Sequence, residues 1–210
     1  MPDKAIADKG ILLVISGPSG VGKNSVLNRV LDLSPFVYSI SATTRTPRPG
    51  EVDGKDYFFY GKEEFQKKIA EQVFLEWACV YGDYYGTPAA FINDTLSKGK
   101  DVVLDLDIQG ARQVRAAMPD AVLVFLYPPS LQELCKRLQH RGTEKIDTQM
   151  KRLDYVKDEL AAVKEYDYLV INDDLDNAVT QIMHIWQAEK LRVARKDTGS
   201  LNKCFFDVGH

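Results

Sequence analysis

Seven residues near the start of the chain carry its plainest chemistry: Gly17-Pro18-Ser19-Gly20-Val21-Gly22-Lys23. Four residues separate Gly17 from the Gly22-Lys23 pair, the spacing of the Walker A phosphate-binding loop. Its glycines let the backbone wrap so that successive N–H groups point inward at phosphate oxygens. A helix beginning at Lys23 adds the positive end of its dipole, and the Lys23 ammonium can reach β and γ phosphates. The bland alternative is a glycine turn beside an exposed lysine. Strand, loop and helix in the required order argue against it. The pattern next wants Ser or Thr as a magnesium ligand, but Asn24 stands there and the hydroxyl comes one place later at Ser25. An amide oxygen can ligate magnesium, though it is bulkier. Metal binding is therefore expected to be weakened and not abolished.

A second acidic element fits the first. Val102-Val103-Leu104-Asp105-Leu106-Asp107 reads as an apolar strand ending in two acids. Residues two apart on a strand share a face, which puts Asp105 and Asp107 together where doubly wound sheets bind ligands. Asp105 has the character of the Walker B acid that holds magnesium, usually through water. Either aspartate could instead cap the helix that follows.

The elements that must position these groups follow an alternating rhythm. Ile11 to Ile15 is a β-branched run; Val26, Leu27, Val30 and Leu31 repeat at helical spacing until Ser34-Pro35. Phe36 to Ser41 alternates as a strand does. Val102 to Leu104, Ala121 to Tyr127 and Tyr168 to Ile171 are further strands, separated by helical stretches over 109–118, from Ser130, over about 147–166 and from Leu175. The fold class expected is α/β, a parallel sheet flanked by helices. Thr43 to Pro88 breaks the rhythm with short aromatic strands, and reads as a small mixed or antiparallel insertion. The expected organisation is one unit, with a core over 1–41, 89–138 and 149–196, the insertion over 42–88, a polar lid over 139–148 and a tail over 197–210.

With 210 residues, 45% apolar and 27% charged, the chain has a globular composition. Twenty-seven basic against 30 acidic residues leave −3, which argues against a general nucleic-acid or membrane binder. No apolar run approaches the ~20 residues of a membrane span, and no secretory signal is read at Met1-Pro2-Asp3-Lys4. Cys79, Cys135 and Cys204 lack metal-type spacing and read as reduced, so the expected location is cytoplasmic.

From about Ile11 to Ile185 the sequence resembles the guanylate kinase family. The resemblance rests on Gly17 to Lys23, Thr43-Thr44-Arg45-Thr46-Pro47-Arg48, Gly54-Lys55-Asp56-Tyr57, Phe74-Leu75-Glu76-Trp77-Ala78, Tyr84-Tyr85-Gly86, Asp105 to Gly110, Arg137 with Arg141-Gly142-Thr143, and Asn172-Asp173-Asp174. It implies ATP-dependent phosphorylation of GMP, and of dGMP, with Mg²⁺. ATP and GMP are the partners implied; monomer and homo-oligomer stay open. A P-loop kinase for another small acceptor is one rival. The other is a catalytically weak binding module of the same fold, which Asn24 favours.

Residue chemistry agrees with those roles. Arg45 and Arg48 in a Pro-punctuated loop, with the Tyr57 hydroxyl, suit a monophosphate dianion. The resemblance adds Tyr85 against that phosphate. A solvated loop for the arginines and aromatic packing for Tyr57 and Tyr85 remain alternatives. Glu76 sits in an apolar strand, where an unpaired carboxylate is costly. Guanine's N1–H and 2-amino group are two adjacent donors that it could accept; adenine has neither. A strand-edge acid facing water is the alternative. The resemblance assigns Ser41, Thr87 and Asp107 to the guanine, and Asn172 to the neighbourhood of adenine, although Asn172-Asp173-Asp174 also reads as helix capping. The acceptor is an ionised phosphate oxygen, so no general base is needed and His140, His184 and His210 are not expected to act. The catalytic burden falls on Lys23, Arg45, Arg48, Arg137, Arg141 and Arg152 with magnesium. Arg137 and Arg141 lie one helical turn apart, where a closing cover would carry them over the donor phosphates. For Arg137 and Arg152 an ordinary helix surface is the alternative.

Overall fold

The computed structural model describes residues 9–80, 82–140 and 159–196. In chain order its strands are β1 (Leu12–Ser16), β2 (Val37–Tyr38), β3 (Ala42–Thr43), β4 (Phe58–Phe59), β5 (Phe74–Val80), β6 (Asp83–Pro88), β7 (Val102–Asp105), β8 (Val122–Tyr127) and β9 (Tyr168–Ile171). The helices are α1 (Lys23–Leu33), α2 (Lys62–Ala70), α3 (Ala89–Ser97), α4 (Ile108–Ala117), α5 (Leu131–His140) and α6 (Leu175–Leu191).

β1 is buried along its whole length, as the middle strand of a sheet covered on both faces must be. Its side chains divide by alternation. Leu13 and Ile15 pack with Val26 and Val30 of α1 and Val179 and Ile182 of α6. Leu12 and Val14 pack with Ile92 and Leu96 of α3 and Ala111 and Val114 of α4. The sheet runs β2-β7-β1-β8-β9 with every pair parallel. All its strands therefore end on one edge, the edge that carries the loop after β1 and Asp105.

At the opposite edge two buried acids lock α6 in place. Asp101 accepts from the Ile11 amide at 2.8 Å, from Trp186 Nε1 at 2.8 Å and from Lys190 at 2.7 Å. Glu189 accepts from the Tyr168 hydroxyl at 2.6 Å and pairs with Arg192 and Arg195. Each buried charge is satisfied, so both read as structural.

The second sheet runs β4-β3-β6-β5; β3 and β4 are parallel and the other pairs antiparallel. Its small core stacks Phe65 of α2 on Phe74, with ring centroids 4.4 Å apart. One sequence expectation needs correction here. Phe36 to Ser41 is not a single strand: β2 contributes two residues to the parallel sheet, and the chain then crosses to the second sheet. There the Ser41 carbonyl accepts from the Phe58 amide at 2.9 Å. A strand on the parallel sheet's edge can end early without orphaning groups that the next sheet satisfies. The helix expected over about 147–166 is described only from 159, and tightens into a 3₁₀ turn over Ala162–Glu165. Residues 139 and 140 of the expected lid end helix α5; the rest of it, 141–148, and the tail over 197–210 lie outside the described residues. Among the described residues no helix is long and apolar enough to cross a membrane.

Candidate active site

The loop between β1 and α1 is held from both sides. Gly17 has φ +147°, and a Cβ there would stand 2.4 Å from the Leu126 carbonyl oxygen of β8. Gly22 has φ +102°, and its Cβ would stand 2.7 Å from Asn172 Nδ2. Both conformation and space thus require glycine. Asn172 is buried, and its Nδ2 donates to the Val21 carbonyl at 2.8 Å while its own amide donates to the Tyr127 carbonyl at 2.8 Å. It fastens the loop to the end of β8. The cap of α6 is Asp174, whose carboxylate accepts from the Asn177 amide, so Asn172 itself is not the capping residue.

Gly22 is the residue before α1, and no side chain caps that helix. Its first amides remain available to an anion, the requirement of a phosphate nest. Lys23 Nζ donates to the Gly17 carbonyl at 2.8 Å and lies 3.4 Å from that of Pro18, folded over the loop it would serve. Pro18, Ser19 and Gly20 form the crest, closed by a Val21 amide to Pro18 carbonyl bond at 3.2 Å. Arg137 of α5 lies across the far side. Its guanidinium donates to the Val21 carbonyl at 3.2 Å and the Asn172 carbonyl at 3.4 Å, and pairs with Glu133 at 3.1 Å. It is no bystander on a helix surface. Arg141 and Arg152 lie outside the described residues.

Beside the loop is a cavity of about 420 Å³ lined by Asn24, Ser41, Tyr57, Glu76, Tyr85, Asp105 and Asp107, among others. Seven residues chosen from sequence thus meet around one space large enough for a nucleotide base and sugar. Ser25 is exposed on the first turn of α1, away from this lining.

Glu76 is the most constrained of the seven. Alternation on β5 turns it inward with Phe74 and Ala78 while Trp77 faces out, and it is 6% exposed. Its Oε1 accepts from the Thr87 hydroxyl at 2.5 Å. Burial pushes its carboxyl up to about 7, against the pull of the Thr87 hydroxyl and with a further push from Asp107. Such an acid gains most from a ligand that brings donors. Thr87 is fully buried and is absent from the cavity lining, so its hydroxyl is spent on Glu76 and not on the cavity. The reason is register: β5 and β6 pair Glu76 with Thr87.

Asp105 and Asp107 do not act alike. Asp105 ends β7, and burial raises its carboxyl above the ordinary range, with Lys23 pulling down and Asp107 pushing up. Asp107 caps α4, its Oδ1 accepting from the Gly110 amide at 2.8 Å. It serves as cap and as cavity wall at once. Magnesium favours one or two carboxylates with phosphate and water oxygens. Asp105 with the Asn24 amide oxygen, both on the cavity lining, supplies a set of that kind.

The arginines lie further out. Arg45 Nη2 donates to both carboxylate oxygens of Glu51, at 2.8 and 3.0 Å, and its guanidinium lies 5.5 Å from the Tyr57 ring centre. Glu51 also accepts from the Arg48 amide at 2.7 Å, fixing the turn that presents Arg48, whose side chain is exposed. Tyr57 and Tyr85 pack edge to face at 6.3 Å and still line the cavity, so packing and site position coexist.

Sequence reading missed three groups. Glu51 organises the arginine loop; an acid three residues after Arg48 was the available signal. Tyr38 lines the cavity, its hydroxyl pushed up to about 12 by desolvation and then by the Asp105 charge. Glu159 faces the phosphate loop: burial raises its carboxyl, while Lys23 and the Ser19 amide draw it down. Periodicity marks neither of these two.

A parallel sheet, a nest of amides at a helix start and an acid at the end of the adjacent strand of the sheet define a P-loop nucleotide-binding protein. The family model for guanylate kinase matches residues 9–189. A guanylate kinase of Caldanaerobacter subterraneus is 50% identical over 91% of this chain and 93% of its own length. One from Latilactobacillus sakei is 48% identical over 90% and 95%. The crystal structure of guanylate kinase from Anaplasma phagocytophilum superposes with a TM-score of 0.79 at 30% identity, covering 97% of this chain and 99% of that one. The chain belongs to the guanylate kinase family.

Proposed function

We propose that this protein transfers the γ-phosphoryl group of ATP to the phosphate of GMP, or of dGMP, giving ADP and the diphosphate. An ionised oxygen of the acceptor phosphate forms the new bond to phosphorus as the bond to the β-phosphate oxygen breaks, and ADP leaves with that electron pair. No proton need be removed, so the protein's work is placement and charge. The backbone of Gly17 to Gly22 cradles the donor phosphates, and Lys23 moves from the Gly17 carbonyl onto them. Asn172 and Arg137 brace the loop from the donor side. Arg45 and Arg48, with the hydroxyls of Tyr57 and Tyr85, take the acceptor phosphate, and Ser41, Glu76 and Asp107 the base. Thr87 orients Glu76 from behind. Arg141 and Arg152 are assigned the donor phosphates on the family resemblance alone.

Asp105 and Asn24 would hold magnesium, partly through water. When bound, the ion would supply positive charge to offset that of the donor phosphates. The units 42–88 and 139–148 are read as the acceptor-binding insertion and the lid of one domain, and the protein as cytoplasmic.

The observation that carries this reading is a buried carboxylate, open to donors, lining the same cavity as Asn24 at the start of α1 beside the phosphate loop. Adenine offers no such donors, and sites built on missing hydrogen bonds can discriminate about 10⁴-fold. The test is a coupled ADP-release assay with GMP, dGMP, AMP and IMP, with Lys23→Ala as control. Turnover with GMP and dGMP, little with AMP, and loss in the folded control are expected. No GMP turnover with ATP and magnesium would overturn it: turnover of another acceptor alone would leave a P-loop kinase of different specificity, and no turnover of any acceptor the binding module that Asn24 favours.

A further inference from the structure

Among the described residues β5 lies at the edge of the second sheet, with β6 as its only strand neighbour. An edge residue leaves a backbone N–H and carbonyl unpaired unless something covers them. At Trp77 the cover is one side chain. Its amide donates to Gln113 Oε1 at 3.1 Å, and its carbonyl accepts from Gln113 Nε2 at 2.8 Å. A single glutamine thus does at one position what a neighbouring strand would do.

Trp77 directly follows Glu76, and Gln113 lies one helical turn after Gly110 on α4. Gly110 is the second point of contact. A Cβ there would stand 2.7 Å from Glu76 Oε2, so only glycine lets the carboxylate rest against the helix. Asp107 caps that same turn through the Gly110 amide. Strand and helix, one from each sheet's part of the fold, are therefore locked together at two successive residues, Glu76 and Trp77.

We propose that Gln113 is a positioning residue for base recognition: its amide sets where Glu76 stands above α4 relative to Asp107, which meets the same turn of the helix at Gly110. The proposal rests on the reading of Glu76 as the carboxylate that accepts from guanine. A hydrogen-bonding pair of donors tolerates little displacement of its acceptor, and errors near 1 Å can cost about 10²-fold. Gln113 does not line the cavity. Its effect on substrate must pass through the strand it holds.

Two variants separate positioning from simple stability. Gln113→Met keeps length and removes both bonds; Gln113→Glu keeps the acceptor for the Trp77 amide but sets an acceptor against the Trp77 carbonyl. Steady-state rates with GMP and IMP are compared, because IMP keeps N1–H and lacks the 2-amino group. Hydrogen exchange at the Trp77 amide reports the clamp directly. Expected are a KM for GMP raised about tenfold, a GMP/IMP preference falling toward one, a KM for ATP within about twofold, and faster Trp77 exchange. A merely structural glutamine would lower the melting temperature and leave the preference unmoved. If Gln113→Met does not fold, Gln113→Glu carries the same comparison. Folded variants with the parental GMP/IMP preference would overturn the Gln113 proposal alone. A parent without any GMP preference would overturn the reading of Glu76, and Gln113's role with it.

Discussion

The Thr87 hydroxyl donates to Glu76 Oε1 at 2.5 Å, in a place where Thr87 is fully buried and Glu76 is 6% exposed. The bond fixes one oxygen of the acid and leaves its charge dependent on what enters the cavity. Thr87→Val keeps shape and removes the donor. Stripping a buried carboxylate of a hydrogen bond costs on the order of 1–3 kcal/mol, so urea unfolding at pH 8 should show a loss of that size. The KM for GMP should rise with it while that for ATP stays. Unchanged stability together with unchanged KM would mean that Thr87 does not hold the acid.

Glu76 also predicts a pH dependence of stability without nucleotide. Its carboxyl is raised from 4.5 to about 7 in the folded chain. Between those values the folded state keeps a proton that the unfolded chain has lost. Stability therefore falls as pH rises through that window and levels off above it, by roughly 3 kcal/mol. Denaturation at pH 5, 6, 7 and 8 should show the decline, and Glu76→Gln should remove that part of it. A Glu76→Gln profile parallel to the parent's would contradict the assignment.

The Gly22 position predicts a separation of the two substrates. Its φ of +102° and the nearby Asn172 amide leave no room for a methyl group. Gly22→Ala should cost about 1–3 kcal/mol in strain and push Asn172 from the Val21 carbonyl. The KM for ATP should rise severalfold with that for GMP near the parental value, as initial rates with each substrate varied in turn would show. Equal increases for both would argue that the loop does not belong to the donor alone.

What could be read from sequence was local. A glycine-rich turn between a β-branched run and a helix announces itself within fifteen residues, and alternation alone puts Glu76 opposite in sense to Trp77. What escaped depends on contacts across long separations. The split of Phe36 to Ser41 between two sheets is decided by Phe58, and Thr87's service to Glu76 by strand register. Gln113's bond to Trp77 spans 36 positions. Asp107 shows a different limit: capping and lining looked like competing roles, and one side chain performs both. Glu51 was overlooked because an acid in a Pro-Gly turn is usually solvated, whereas here two arginines share it.

Base selection by Glu76 is tested most directly by kcat/KM for GMP and for AMP in the parent and in Glu76→Gln, at saturating ATP and magnesium. The parent should favour GMP by at least about a thousandfold. Glu76→Gln, which sets an amide donor against guanine's donors, should remain folded and lose about a hundredfold or more of that preference. A folded variant that still chose GMP over AMP as strongly as the parent would contradict the account.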